Sequence, residues 1–365
     1  MRQFNVEFFD RTLTYKHRDS AYNIIIDDDY ISAVTNNMEI SSTDKVVNGD
    51  FIYITTDDIK FFGIVTDVSP GEYTTSITYK PFMSLFDEDF LFNYRDQGTG
   101  ERTHPTLEEA LENYIKRMYI TTPDTTKRLN IEVINSVPEA NKTSNWSFNI
   151  TPMQEGSVYN IVNLYTSIIT AALKKYGVAI LVEPIFSAHK IRLNIVKINS
   201  TFKIDGDLDN VKVQTLKYNE RPNGVNKLVV YNSSNFSETA IFYVHPDRTW
   251  DLDGDNNRIT PVVTKVTSVT PDETYGFAGP AVEAAYSTFS GTEWDNLIEL
   301  QTVANDPIIA PMDLDIGQKI TLYYKGGVYT SILTGRHLET DLVTLYFGSE
   351  RIQYSKRRYK IGGQL

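Results

Sequence analysis

Alternation of apolar and polar residues dominates the first 96 positions of the chain. Asn5–Phe9, Tyr22–Ile26, Ile31–Asn36 and Met38–Ser41 read as short strands, the last two flanking an Asn36-Asn37 turn. Phe51–Thr55, Lys60–Val68 and Thr74–Tyr79 continue the pattern, with Pro70-Gly71 as the turn between the last two. Six or seven short strands with tight turns predict a small closed barrel or sandwich.

The period then changes. Gln97-Gly98-Thr99-Gly100 reads as a linker. Thr106 and Glu109 form a capping box after Pro105, followed at helical spacing by Leu107, Ala110, Leu111, Tyr114, Ile115, Met118 and Tyr119. Leu129–Ile134 and Trp146–Ile150 read as strands. A second helix is predicted from about Gly156 to Tyr176, capped by Ser157 and ended by Gly177, with Lys174 and Lys175 suited to its C-terminal dipole. Val178–Val182 and Lys190–Val196 read as a strand pair. Val211–Tyr218 and Asn226–Asn232, joined by the Pro222-Asn223-Gly224 turn, read as strands that open the second β-unit. An insertion follows, with a polar turn over Trp250–Asn257, a β-like Ile259–Val269 and a helical part from Pro280 to about Asn305.

One stretch occurs twice. Gly49–Thr66 (GDFIYITTDDIKFFGIVT) and Gly317–Thr334 (GQKITLYYKGGVYTSILT) overlay without a gap. Gly49/Gly317, Ile52/Ile320, Ile64/Ile332 and Thr66/Thr334 are identical, and Ile54/Leu322, Phe61/Tyr329 and Val65/Leu333 are conservative. Each copy is a strand, a turn and a strand, with a third strand after it (Ser76–Tyr79 and Val343–Phe347). The division read from these patterns is 1–96 as a first β-barrel, 97–208 as an α+β domain, 209–235 with 308–365 as a second β-barrel, and 236–307 as an inserted mixed segment. The fold class is α+β, mainly β. Two related β-units in one chain favour a ring-building protein over an enzyme with a single grafted site.

Composition narrows the function classes. The formal net charge of −12 argues against a nucleic-acid-binding surface, while an acidic wall lets DNA slide past without sticking. With no cysteine, thiolate metal sites, disulfides and cysteine nucleophiles are excluded. The charged first 20 residues hold no apolar signal-peptide core, and no run of about 18 apolar residues forms a membrane span.

The search for chemistry yields little. Asp251, Asp253 and Asp255 resemble a calcium loop, but Gly254 is misplaced and Val262 stands where the closing carboxylate belongs. His245 and Asp247 lack a nucleophile elbow, and His17, His104, His189, His245 and His337 form no metal-spaced pair. Asp87, Glu88 and Asp89 offer paired carboxylates of the kind that hydrolyse glycosides, yet a solvated turn explains them as well. No phosphate-binding glycine loop is present. The basic Lys356–Lys360 tail reads as a flexible terminus or as a contact for an acidic partner or nucleic acid. No catalytic, cofactor-binding or metal-ligating residue is therefore assigned.

Three stretches, Gly49–Phe92, Ile161–Pro184 and Leu216–Trp250, resemble the tail-associated hub proteins of long-tailed bacteriophages and of prophages of Gram-positive hosts, relatives of the hub above the spike of contractile-tailed phages. The resemblance implies two tube-like β-barrels, one interrupted by an insertion, and three copies forming a pseudo-sixfold ring. It further implies a virion component made in the bacterial host cytoplasm and acting without catalysis. Its implied partners are the distal tail ring protein, the tape-measure protein and receptor-binding or fibre proteins, with DNA passing through a channel. Many such hubs continue into a C-terminal peptidase, lysozyme-like or fibre module, so wall degradation is expected to reside elsewhere. Two other readings stand beside it: a carbohydrate-binding host-recognition protein built on Tyr-rich strands, and a cell-wall hydrolase using Asp87 or Glu88.

Overall fold

A computed structural model describes residues 3–348 apart from 23, 31–33, 42, 44, 57–58, 94–103, 105, 145, 147, 149, 151–158, 199–200, 206–214, 221–224, 246–249, 253–261, 272–275, 290–295 and 340. The linker at Gln97–Gly100, the Ser157 cap, the Pro222-Asn223-Gly224 turn, Asp247, Asp253, Asp255 and the basic tail lie outside the described residues.

The first β-unit comprises β1 (Gln3–Phe9), β2 (Tyr15–Tyr22), β3 (Ile25–Asp29), β4 (Asn36–Ser41), β5 (Phe51–Thr55), β6 (Lys60–Pro70) and β7 (Thr74–Pro81), followed by β8 (Asp89–Asn93). Six of these form one sheet in the order β2-β1-β5-β6-β7-β4. The sheet curls until its edges meet, where the Ser41 N–H on β4 donates to Asp19 Oδ2 on β2 at 2.6 Å. The expected Asn36-Asn37 turn is absent: both residues are in β4, and Asn36 ties its side chain to the backbone of Asp27 in both directions, at 2.7 and 2.9 Å. β2 was hidden by its polar sequence, YKHRDSAY, because an edge strand need bury little.

The middle region holds α1 (Leu107–Ile115), β9 (Ile131–Asn135), β10 (Tyr159–Asn163), α2 (Thr170–Tyr176), β11 (Val178–Ile185) and β12 (Lys190–Lys197). Thr106 caps α1 as predicted, its Oγ1 accepting the Glu109 N–H at 3.3 Å. Glu108 is fully buried and accepts the Thr143 N–H and hydroxyl, so this acid is a structural bracket. The second helix starts later than expected. Residues 159–163 are instead a strand paired with β8, and Asn163 caps the π-helical turn Leu164–Ile169 that runs into α2. Gly177 ends α2 in the left-handed conformation at φ 66°. Trp146, Phe148 and Ile150, from the expected strand over 146–150, are buried at alternate positions, and none of these three described residues is in strand pairing.

The second half contains β13 (Thr201–Asp205), β14 (Thr215–Glu220), β15 (Lys227–Asn232), β16 (Thr239–Val244), β17 (Trp250–Leu252), β18 (Thr264–Val269), α3 (Ala278–Phe289), β19 (Asn296–Val303), β20 (Lys319–Tyr324), β21 (Gly327–Glu339) and β22 (Leu342–Gly348). A seven-stranded sheet runs β13-β20-β21-β22-β19-β14, with β3 also on β21. A separate sheet, β17-β16-β15-β18, packs Leu228, Val230 and Phe242 against Ala281, Ala285 and Phe289 of α3.

Strand membership differs from the sequence expectation in three places. β14 pairs β19, while β15, expected to open the second β-unit with it, joins the inserted sheet. The sequence expected helix to continue to Asn305, yet α3 ends at Phe289 and β19 buries Ile298, Leu300 and Thr302 in strand alternation. β13, placed by sequence in the α+β region, runs parallel to β20. A turn signal fixes a local reversal of the chain, not which sheet edge receives each arm.

The two β-units share one apolar core. Phe4, Val6, Phe8, Ile52, Ile54 and Ile77 of the first pack with Ile298, Leu300, Ile320, Leu333, Leu345 and Phe347 of the second. A second core lies under the middle region, built on Trp146, Tyr114, Tyr119 and Tyr165.

Candidate functional site

The repeat seen in the sequence is a repeat of hydrogen bonds. With positions offset by the separation of Gly49 and Gly317, the strand register and the opening backbone hydrogen bonds of one hairpin find their counterparts in the other. Both glycines are left-handed, at φ 89° and 85°. Gly49 N–H donates to Val65 O at 2.9 Å, and Gly317 N–H to Leu333 O at 2.7 Å. Val65 N–H returns to Asp50 O, as Leu333 N–H returns to Gln318 O. The register Phe51↔Ile64 is matched by Lys319↔Ile332. Each long strand then skips one residue against its partner, between Val65 and Asp67 in β6 and between Leu333 and Gly335 in β21. The skipped residues are Thr66 and Thr334, whose hydroxyls donate to Thr78 O at 3.2 Å and Tyr346 O at 3.1 Å. A bulge of this kind sharpens the local bend, and here it sits at the same place in both copies. β4 and β19 extend the match, since Met38↔Ile77 corresponds to Leu300↔Leu345.

The copies differ on the outer side of this bend. Beyond Thr334, β21 is flanked on one side by β22 and on the other by β3, which crosses from the first unit in the register Gly335↔Asp29 to Glu339↔Ile25. Three consecutive aspartates on β3 meet a basic pair on β21. His337 Nδ1 lies 2.7 Å from Asp27 Oδ1. Arg336, facing Asp28 across the strands, donates from Nη1 to Met312 O at 3.2 Å and from Nη2 to Leu314 O. Burial pushes the Asp28 carboxyl above its usual range, with the Arg336 charge opposing. Tyr30 then joins three parts of the chain: its N–H donates to Thr334 O at 2.9 Å, its carbonyl accepts the Tyr165 hydroxyl, and its own hydroxyl accepts the Ile180 N–H at 2.9 Å. Burial raises the pKa of both tyrosines, which stay neutral hydrogen-bonding groups. None of this junction was picked out in the sequence; the IIDDDY run was its signal.

The carboxylates considered for hydrolysis are occupied with structure. Asp87 Oδ1 accepts Asn163 Nδ2 at 3.0 Å, and Glu88 Oε2 pairs with Lys127 Nζ at 2.8 Å. Asp89 opens β8. His245, considered with Asp247 in the sequence, instead has Asp251 beside it, with Oδ1 3.1 Å from Nε2. His17 stacks on Phe8, and His189 caps a short turn and lies 3.1 Å from Leu13 O. Among the described residues no group of three or more His, Cys, Asp or Glu side chains is placed to hold a metal ion. No described helix is long and apolar enough to cross a membrane.

No protein-family model matches the chain, and no curated protein matches it. Solved structures do. The phage P2 baseplate in its activated conformation with Ca matches at 12% identity and TM-score 0.51, over 94% of this chain and 98% of that one. A topological model of the p2 virion baseplate in activated conformation matches at 12% identity and TM-score 0.50, over 96% of this chain and 100% of that one. Prophage tail protein gp18 from Listeria monocytogenes EGD-e gives 8% identity and TM-score 0.48, over 98% of each chain. At such identity the likeness speaks for fold, over nearly the whole length: the chain is mainly β, α+β, and shares its fold with the phage baseplate structures.

Proposed function

We propose that this chain is a structural hub protein of a phage tail tip, three copies of which form a ring that closes the distal end of the tail tube. In this reading the ring provides the channel for DNA ejection on host attachment. The observation that carries it is the repeat of register, bulge and threonine hydrogen bond in two units of one chain. A trimer of a chain with two equivalent units presents six equivalent segments, which lets a threefold object seat on a sixfold tube. The baseplate folds it resembles support placing it in a tail assembly.

The division into a first β-unit, an α+β region, and a second β-unit with an insertion belongs to this proposal. So do its partners, namely the distal tail ring protein, the tape-measure protein and receptor-binding or fibre proteins. The acidic balance suits a passage through which DNA moves without specific binding. The function is geometric, with no catalytic residue assigned.

Light scattering on the purified chain across a concentration series tests this. The expected result is three chain masses at the upper concentrations. A chain that stays monomeric at high concentration, and also with its ring partner, contradicts the reading.

A further inference from the structure

The inserted sheet has an edge beside α3 that no described strand covers. Asn232 N–H donates to Glu238 O and Val244 N–H to Asn226 O, each at 3.0 Å. In the antiparallel register of β15 and β16, this turns the backbone groups of Ala240, Phe242 and Val244 toward β15 and those of Thr239 and Ile241 outward. β17 takes the outer edge only from Phe242 to Val244. Thr239 and Ile241 therefore face no described strand, and such an edge is a template for an extended segment.

Beside this edge lies an open groove of about 450 Å³, lined by Phe242, Leu252, Phe277, Ala278, Ala281 and Val282. The small side chains of Ala278 and Ala281 leave the space, and Leu252 and Val282 are 59% and 49% exposed. A strand added to β16 would send every second side chain into this groove.

Charge narrows the occupant. Glu238 also lines the groove, no lysine or arginine does, and the exposed Asp251 and Glu283 adjoin Leu252 and Val282 in sequence. The complement is an extended segment with apolar residues two apart and basic residues around them. The chain carries one beyond β22, in Lys356-Arg357-Arg358-Tyr359-Lys360-Ile361. Extended, it puts Tyr359 and Ile361 on one face and Arg358 and Lys360 on the other. Reach permits the contact. Gly348 pairs Leu297, eight residues after α3 ends at Phe289. At most about 45 Å of chain path then separates Gly348 from Val282, and the thirteen residues from Gly348 to Ile361 extend roughly as far.

We propose that the chain's own basic tail, residues 356–361, docks in this groove as an added strand on β16, with Tyr359 and Ile361 turned toward α3. The proposal stands apart from the trimeric reading.

The test places a photo-crosslinking residue in the full chain, as Val282→p-benzoylphenylalanine, reads chain mass on a denaturing gel and maps the linked peptides by mass spectrometry. The expected result is a link to residues 349–365 within a single chain mass. That link is lost in the Tyr359→Asp, Ile361→Asp double variant, and it is absent when the probe sits at Val266, an exposed position on β18 at the opposite edge of the sheet. A link to any other segment, a link only between two copies, or no link overturns the proposal. So does a link that survives the double variant or forms equally from Val266.

Discussion

Gly317→Ala is expected to destabilise the protein by about 2–4 kcal/mol, well beyond the effect of Gly49→Ala. Both glycines hold the left-handed conformation that opens the repeated hairpin. An L-residue there costs roughly 1–2 kcal/mol, offset by about 0.4–1 kcal/mol from the stiffer unfolded chain. Backbone alone thus predicts a loss near 1 kcal/mol at each site. Packing separates them. A Cβ on Gly49 meets nothing within 4 Å, whereas one on Gly317 falls 2.8 Å from Leu173 Cδ1 and 3.0 Å from Ile198 Cδ1. Leu173 is a buried member of the core under the middle region and has little room to retreat. Urea titration of the two variants gives the comparison. Equal losses would mean that the second hairpin does not lean on α2 as described.

Arg336→Ala is expected to cost about 2–4 kcal/mol. The change strips charge-assisted donors from the Met312 and Leu314 carbonyls, each such bond contributing roughly 1.5–3 kcal/mol. It also removes the cation facing Asp28, whose carboxyl burial already disfavours as an anion. Asp28→Asn in the same background should recover part of the loss, and Arg336→Lys should not, because an ammonium cannot fork to two carbonyls. The sign with pH follows from the raised Asp28 pKa. Above the unfolded value, about 3.9, the unfolded chain releases its proton first. The single variant therefore loses stability as pH rises through the acid range, a slope that Asp28→Asn should remove. Thermal melts across that range would show it, and additive effects of the two changes would contradict the coupling.

The sequence made the repeat visible through apolar positions that a strand pair must keep. Ile52, Ile54, Val65 and their partners Ile320, Leu322 and Leu333 are all core residues. The α1 cap and the Gly177 stop were legible because capping is a local rule. What was not legible is non-local. Nothing in Ile25–Asp29 announces that this strand leaves its own sheet for β21, more than 300 positions away in the His337–Asp27 contact. The fate of β15 and β19 escaped for the same reason, since alternation states that a strand exists and not which edge it joins. The junction at Tyr30, the nearest thing to a site in the molecule, has three partners from two other regions of the chain, and only the fold brings them together.

The most direct measurement is an image of the purified assembly viewed down its axis by electron microscopy. The account predicts a ring with six wall segments around a central opening and three projections, one per inserted module. A closed twofold particle, or a ring in which the number of wall segments equals the number of projections, would contradict the claim that each chain supplies two equivalent segments of one wall.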